Sequence, residues 1–287
     1  MRTDLRLLVA VVVVCAGGGV LAPTAAAGPV VAGRSTATTG TFPDPLKTNA
    51  RYFPLTPGQQ YVYEGTLRQE GSAPIEHRVV FTVTDLVKTV GGVSSRVILD
   101  QDYNDGELVE AELTFFAQDK HANVWTRGEY PEEYENGKFA GAPNVWISGR
   151  SGAKAGILVP GNPRTGTPPF VQGKAPAIDF YDVGTVVATG RHVCVPTGCY
   201  DGVVKVSETA PLTPEDGTQL KYYAPRVGLI KVTAQGGSAQ ETLTLTSLRR
   251  LGLKAMNAAR AAALRLDIRG YANSKDYRHT GKAHRDD

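Results

Sequence analysis

Cys194 and Cys199 bracket the tetrapeptide "VPTG", a spacing open to a redox couple or to a crosslink over a tight turn built by Pro196 and Gly198. The crosslink is the expected state. The third cysteine, Cys15, lies in a segment that reads as a signal peptide, so the other two form an even set in an oxidising compartment. Closing so small a ring constrains the unfolded chain by about 2 kcal/mol in the chain-entropy account. The densest acidic run is "DQDYNDGELVEAE", Asp100 to Glu112. A helix–loop–helix calcium frame begun at Asp100 fails, because its sixth position is Asp105 and Gly106 falls one residue late. A hairpin turn with solvated acids is expected there, with a weak surface Ca²⁺ site ligated by Asp100, Asp102 and Asp105 as the alternative. Glu129, Glu132, Glu133 and Glu135 form a second acidic patch, which raises the thought of a glycosidase pair; sequence cannot supply the separation that such chemistry needs.

The five histidines (His77, His121, His192, His279, His284) show no zinc spacing and are expected to be scattered on the surface. Neither a Gly-x-Ser-x-Gly elbow nor a Ser-x-x-Lys motif is present. Phosphate-loop and dinucleotide fingerprints are missing, and no cofactor and no catalytic residue is assigned. Aromatic residues are better represented: Tyr63, Phe81, Phe115, Trp125, Trp146 and Tyr222 are candidates to line a ligand groove, with plain core packing as the alternative.

The elements that would carry these residues begin after an export signal. A charged stub (Arg2, Asp4, Arg6), an apolar run from Leu7 through Ala16 and the sequence "PTAAAG" make residues 1–27 a secretory signal peptide cut after Ala27. The apolar run is short and broken by Gly17, Gly18 and Gly19, so no transmembrane span is expected. Cys15 follows Val14 rather than a small residue, which argues against a lipid anchor. Residues 28–49, rich in Gly, Ala, Thr and Pro, read as a disordered leader. The β domain spans 50–248 and a basic, helical and frayed tail spans 249–287. From Arg249 onward ten Lys or Arg stand against four acids, so a chain of net charge +3 has an acidic body and a basic appendage.

Within the body, apolar and polar residues alternate as strands with one buried face require. Tyr61 to Leu67 is the first strand. Val79, Phe81 and Val83 share a face, as do Leu243 and Leu245 against Thr242, Thr244 and Thr246. In "VEAELTFF", Val109, Ala111, Leu113 and Phe115 face one way and Glu110, Glu112 and Thr114 the other. Hairpin signals separate the strands at "YNDGEL", "DKHANVW" and "ENGK". Gly149 to Phe170 reads as a long loop. The fold class is all-β: one antiparallel meander forming a curved sheet or partly open barrel, followed by a C-terminal helix in "LKAMNAARAAALRL". Its stripe of Leu253, Met256 and Leu264 is interrupted by Arg260, so shallow packing is expected.

"LKYYAPRVGLIKV" has the proline and glycine of a chain reversal, making Arg226 a solvated turn residue. Together with "YFPLTPGQQYVYEG", "DGELVE", "FFAQDKHANVW" and "EEYENGK", this stretch resembles, in the same order from about Tyr52 to Val232, a family of uncharacterised secreted bacterial β-rich proteins. The resemblance implies secretion and a β fold, and no activity. The Cys194/Cys199 pair, Arg226 where a glycine is common, and the basic C-terminal helix depart from the family pattern.

A secreted or cell-envelope protein is therefore expected, monomeric or weakly dimeric, and the lack of catalytic motifs points away from an enzyme. The first functional reading is a binding module for a hydrophobic small molecule or lipid, by analogy with β-barrel carriers. The second is an envelope protein tethered to anionic polymer by its basic tail. A hydrolase comes last. Nucleic acid is not an expected partner, since the basic residues sit in a tail with Tyr271 and Tyr277 as its aromatics.

Overall fold

The computed structural model describes residues 40–47 and 49–286 of the 287-residue chain. The expected signal peptide and the leader as far as residue 39 lie outside the described residues. The strands are β1 (Gln59–Gln69), β2 (Ile75–Val90), β3 (Val93–Asn104), β4 (Glu107–Gln118), β5 (Val124–Glu135), β6 (Lys138–Gly141), β7 (Trp146–Ile147), β8 (Lys154–Val159), β9 (Phe170–Ala175), β10 (Phe180–Val195), β11 (Gly198–Thr209), β12 (Thr218–Ala224), β13 (Gly228–Gln235), β14 (Ala239–Arg250) and β15 (His284–Arg285). One helix, α1 (Leu253–Asn273), precedes β15.

The meander closes. Antiparallel neighbours follow the ring β1-β14-β13-β12-β11-β10-β9-β8-β5-β4-β3-β2, and β2 pairs with β1, so 12 strands form a barrel without a gap. Closure removes the free edges that a curved sheet or a partly open barrel would leave. The interval expected to be a long loop between Gly149 and Phe170 contains β8, whose pairing with β5 and β9 is needed to complete the ring.

Inside the barrel, Tyr61, Tyr63, Val79, Phe81, Val83, Ile98, Phe116, Val204, Val206, Tyr223, Leu243 and Leu245 belong to one apolar core. On the bare part of the wall the outward set is polar or half-exposed, with Glu64 and Thr242 exposed beside it. That arrangement is the inverse of a membrane barrel, whose apolar side chains point outward. Among the described residues no helix is long and apolar enough to cross a membrane.

A second apolar cluster lies on the outer side of β2 to β5. Leu86, Val97, Leu99, Ala111, Leu113, Phe115 and Tyr130 pack there against Ala263, Leu266 and Tyr277. Alternation in "VEAELTFF" is real, and α1 decides which side of the wall each face takes. Ala111, Leu113 and Phe115 look outward beneath α1, and Glu112, Thr114 and half-buried Glu110 look into the barrel.

The C-terminal segment is correspondingly well seated. Alanine and long side chains favour the helix, and Arg260, read as an interruption, docks it: its Nε donates to Asp85 Oδ1 at 2.9 Å and its Nη2 to Asp85 Oδ2 at 2.5 Å. Arg269 makes the same two-pronged contact with buried Glu132. Gly270 lets the Tyr277 ring approach; a Cβ there would sit 2.5 Å from Tyr277 Cε1. Lys88, fully buried, donates from Nζ to Asp267 Oδ1 at 2.6 Å, Tyr271 Oη at 2.9 Å and the Gly281 carbonyl at 2.6 Å. The last residues, expected to fray, instead return to β2, where β15 pairs with Leu86 and Val87. The end of the presumed leader is also held. Phe42 meets Trp125 edge-on at 5.7 Å, and the Gln118 N–H donates to the Pro45 carbonyl.

Candidate binding site at the polar mouth of the barrel

The inward register that builds the apolar core turns polar toward one end of the strands. In β11, Val204 and Val206 are followed on the same face by Glu208; in β14, Leu245 and Leu243 are preceded by Glu241. In β12 Tyr223 is preceded by Lys221, and in β3 Ile98 is followed by Asp100, Asp102 and Asn104. With Glu112, Glu129 and Asp182, seven buried carboxyl groups face this region, against Lys221 and His77 as bases. The acids expected to be solvated at the "YNDGEL" hairpin are thus divided. Asp100 and Asp102 are buried inside, and Asp105 stays at the turn, accepting the Glu76 N–H at 3.1 Å. The three do not converge on one cation.

Partners are unequally distributed. Lys221 Nζ donates to Glu208 Oε1 at 2.5 Å. His77, expected at the surface, is buried between Asn104 Oδ1 at 2.7 Å and Glu241 Oε1 at 3.0 Å. Gln219 Nε2 donates to Glu241 Oε2 at 3.1 Å. Asp182 Oδ1, Glu208 Oε2, Asp216 Oδ2 and Gln219 Oε1 are buried and receive no donor. All four residues, with Glu241, line a cavity of about 50 Å³ at the barrel mouth, whose apolar wall includes Leu67, Ala210, Ala234 and Ala239. Such a space holds about four waters.

Burial dominates the titration of these acids. It raises the Asp100 carboxyl to about 7, with Glu241 adding repulsion, and the Glu112 carboxyl to about 8, with Asp100 adding to it. Asp102, Glu129 and Asp182 are pushed well above the ordinary range by the same cause and by neighbouring acids. Burial alone would depress His77, but the hydrogen bond to Glu241 and its charge outweigh it and raise the imidazole. The mouth therefore stores protons near neutrality, and an entering cation would compete with those protons for the acceptor oxygens.

The aromatic candidates do not form one groove. Tyr63 and Phe81 are in the barrel core, and Trp146 joins them, packing at a tilt against Phe180 and donating from Nε1 to Glu129 Oε2 at 2.8 Å. Phe115 is outside, under α1. Trp125 donates to Asp119 Oδ2 at 2.9 Å beside Phe42. Tyr222 is half-buried between Lys205 and Lys231. The glutamate patch is likewise split: Glu129 lies inside, Glu132 faces Arg269 outside, Glu133 is half-buried and Glu135 is exposed.

Cys194 and Cys199 form a disulfide at the β10–β11 turn. Arg226, at φ 64°, is an exposed corner residue between β12 and β13, as its proline and glycine neighbours suggest. Sequence reasoning passed over His77, Asp182, Glu208, Asp216, Gln219, Lys221 and Glu241. The signal for several of them was a charged residue standing in the core-facing register at one end of an otherwise apolar stripe.

No protein-family model matches this chain, and no curated protein matches it. Among solved structures, the crystal structure of a Bacteroides fragilis protein with YmcC-like fold is similar to 70% of this chain and 100% of its own, at 13% identity and a TM-score of 0.36.

Proposed function

We propose that the protein is an exported binding protein that takes a small cationic ligand, an ammonium group on a short alkyl chain, at the polar mouth of its barrel, where the ligand is held rather than transformed. One observation carries this reading: four buried acceptor oxygens without donors line a single small cavity together with apolar side chains. Unpaired buried acceptors are costly, and a cation with N–H donors satisfies them. A bare metal ion suits the mouth less well. Among the described residues, the one group of three metal-capable side chains gathered within 4.8 Å is His192, Cys194 and Cys199, so the mouth carboxylates are spread too widely for direct ligation. The signal-like N-terminus and the disulfide support export.

A hydrophobic ligand or lipid has less support. The interior is filled by core side chains, and about 50 Å³ does not admit an acyl chain. The envelope-tether reading loses part of its cationic tail, because Arg260 and Arg269 are engaged with Asp85 and Glu132. Isothermal titration at pH 7 with 1,4-diaminobutane, 1,4-butanediol and decanoate tests the proposal. The diamine is expected to bind and the diol to be silent. Asp182→Asn with Asp216→Asn should weaken the diamine by at least about tenfold, roughly 1.4 kcal/mol. Absence of diamine binding, or equal binding by the double variant, overturns it; uptake of decanoate alone restores the hydrophobic reading.

A further inference from the structure

At the opposite end of β10 and β11 from the cavity, roughly 30 Å along β11 by ordinary strand rise, the disulfide stands in a chemical setting of its own. Cys194 and Cys199 are cross-strand partners, and both are exposed. His192, on the same face of β10 as Cys194, brings Nε2 to 3.5 Å from Cys194 Sγ. Its other nitrogen, Nδ1, lies 2.6 Å from Asp201 Oδ1 on β11. A ring nitrogen of His192 and the two sulfurs all fall within 4.8 Å of one another.

A crosslink kept only for stability has no need of these neighbours. The two strands are already paired at Val193 and Tyr200 and at Val195 and Gly198, so the bond closes a ladder that backbone hydrogen bonds hold. An imidazole directed at one sulfur, with its second nitrogen fixed by a carboxylate, is instead the arrangement that activates a sulfur. The asymmetry matters, because only Cys194 has the imidazole contact.

We propose that the β10–β11 tip is a thiol–disulfide exchange site for exposed dithiols. The thiolate of an incoming dithiol attacks Cys199 Sγ, its proton passing to water. The Cys194–Cys199 bond breaks as a mixed disulfide forms at Cys199. Cys194 leaves as a thiolate, held or protonated by His192 Nε2–H. The second thiol of the substrate then attacks the mixed disulfide and releases Cys199. The substrate is oxidised by two electrons to its disulfide, and the cysteine pair is reduced by two. In the reverse direction Cys199 attacks the substrate disulfide, and Cys194, activated by His192, attacks the resulting mixed disulfide at Cys199 to re-form the Cys194–Cys199 bond. Asp201 is a positioning residue that keeps Nε2 turned toward sulfur.

The test follows reduction of the full exported chain by dithiothreitol, and alkylation of the reduced chain by iodoacetamide, across pH. His192→Gln is expected to slow reduction at pH 7 by about threefold to tenfold, the range for a leaving thiol whose acidity falls by a unit or two. The alkylation profile of Cys194 should move to higher pH by a similar one to two units. Asp201→Asn should shift both readouts in the same sense by less. Cys194→Ser with Cys199→Ser should keep the circular dichroism of the barrel. Rates and pH profiles indifferent to His192→Gln overturn the proposal, and so does a double serine variant that loses the barrel, because the bond is then a staple.

Discussion

Two stretches of the barrel wall treat their outward faces differently. Along β11 to β14 the inner face is apolar as far as Glu208, Lys221 and Glu241 at the mouth, and the outer face carries Thr242, Thr244, Thr246, Lys205 and Lys231, all at least partly open to solvent. Along β2 to β5 both faces are buried: the inner one mixes Val79, Phe81 and Ile98 with acids, and the outer one is covered by α1 and the segment after it. Alternation reports only that two faces differ. Which face is inside depends on what lies against the other, and a helix more than a hundred residues later decides that for β4.

The largest test of this difference falls on the buried pair that pins the cover. Lys88 has no exposed side-chain surface, and Asp267 is its acidic partner, with Tyr277 Oη and the Ala283 N–H also donating to that carboxylate. Asp267→Ala leaves the ammonium without its counter-charge, which should cost about 3–5 kcal/mol. Urea unfolding checks the value. Hydrogen exchange should rise in α1 and on β2 before it rises in β11 to β14; uniform loss of protection would mean that the helix is not a separable cover.

Next in size is Leu113→Ala. Alternation alone leaves open which side of the wall it takes; in the structure it points outward beneath α1, with no exposure. A loss of about 2–5 kcal/mol is expected from the transfer and cavity terms. Combined with removal of residues 253–286, the same substitution should cost under about 1 kcal/mol more, because its surroundings have already gone. Full additivity would place Leu113 back inside the barrel.

Much of this architecture was legible because strand physics is local. Val79, Phe81 and Val83, the Leu243/Leu245 stripe and the turns at "YNDGEL" and "ENGK" needed only pleat and turn chemistry. Closure was not legible, since the pairing of β1 with β14 joins residues nearly 190 apart and leaves no mark in either strand. The mouth was half legible. Glu241 and Glu208 each broke an apolar register, but their convergence with Asp182 and His77 depends on barrel stagger. Arg260 misled for a related reason: its partner Asp85 is 175 residues earlier.

A third effect, of intermediate size, separates the inner acids from the outer ion pairs through pH. Asp100 near 7 and Glu112 near 8 keep protons in the folded protein that the unfolded chain releases near pH 4. The native state therefore binds more protons from about pH 4 to 8, and stability falls as pH rises through that window. Raised His77, paired to Glu241, acts in the same sense above its unfolded value. Asp85 acts oppositely: the Arg260 hydrogen bond holds its carboxyl below the usual range, so its contribution is present above the unfolded pKa and lost as pH falls through the folded one. Urea midpoints should peak near pH 4–5, and Asp100→Asn with Glu112→Gln should flatten the alkaline side. A midpoint that rises from pH 5 to 8 contradicts the buried-acid mouth.

The smallest expected effect completes the comparison. Thr244 faces outward on β14, where its Oγ1 donates to the Glu64 carbonyl at 3.2 Å in an exposed contact, and no helix lies over it. Water can replace that hydrogen bond, so Thr244→Ala should change stability by no more than about 0.5 kcal/mol. Residue 244 is to the bare wall what Leu113 is to the covered one, an outward position in the middle of a strand. A loss above about 1 kcal/mol, measured by urea unfolding at micromolar and again at tenfold higher protein concentration, would mean that something covers β14 as α1 covers β4. Concentration dependence of that loss would identify the cover as a second copy of the chain, since only an intermolecular contact makes stability follow mass action.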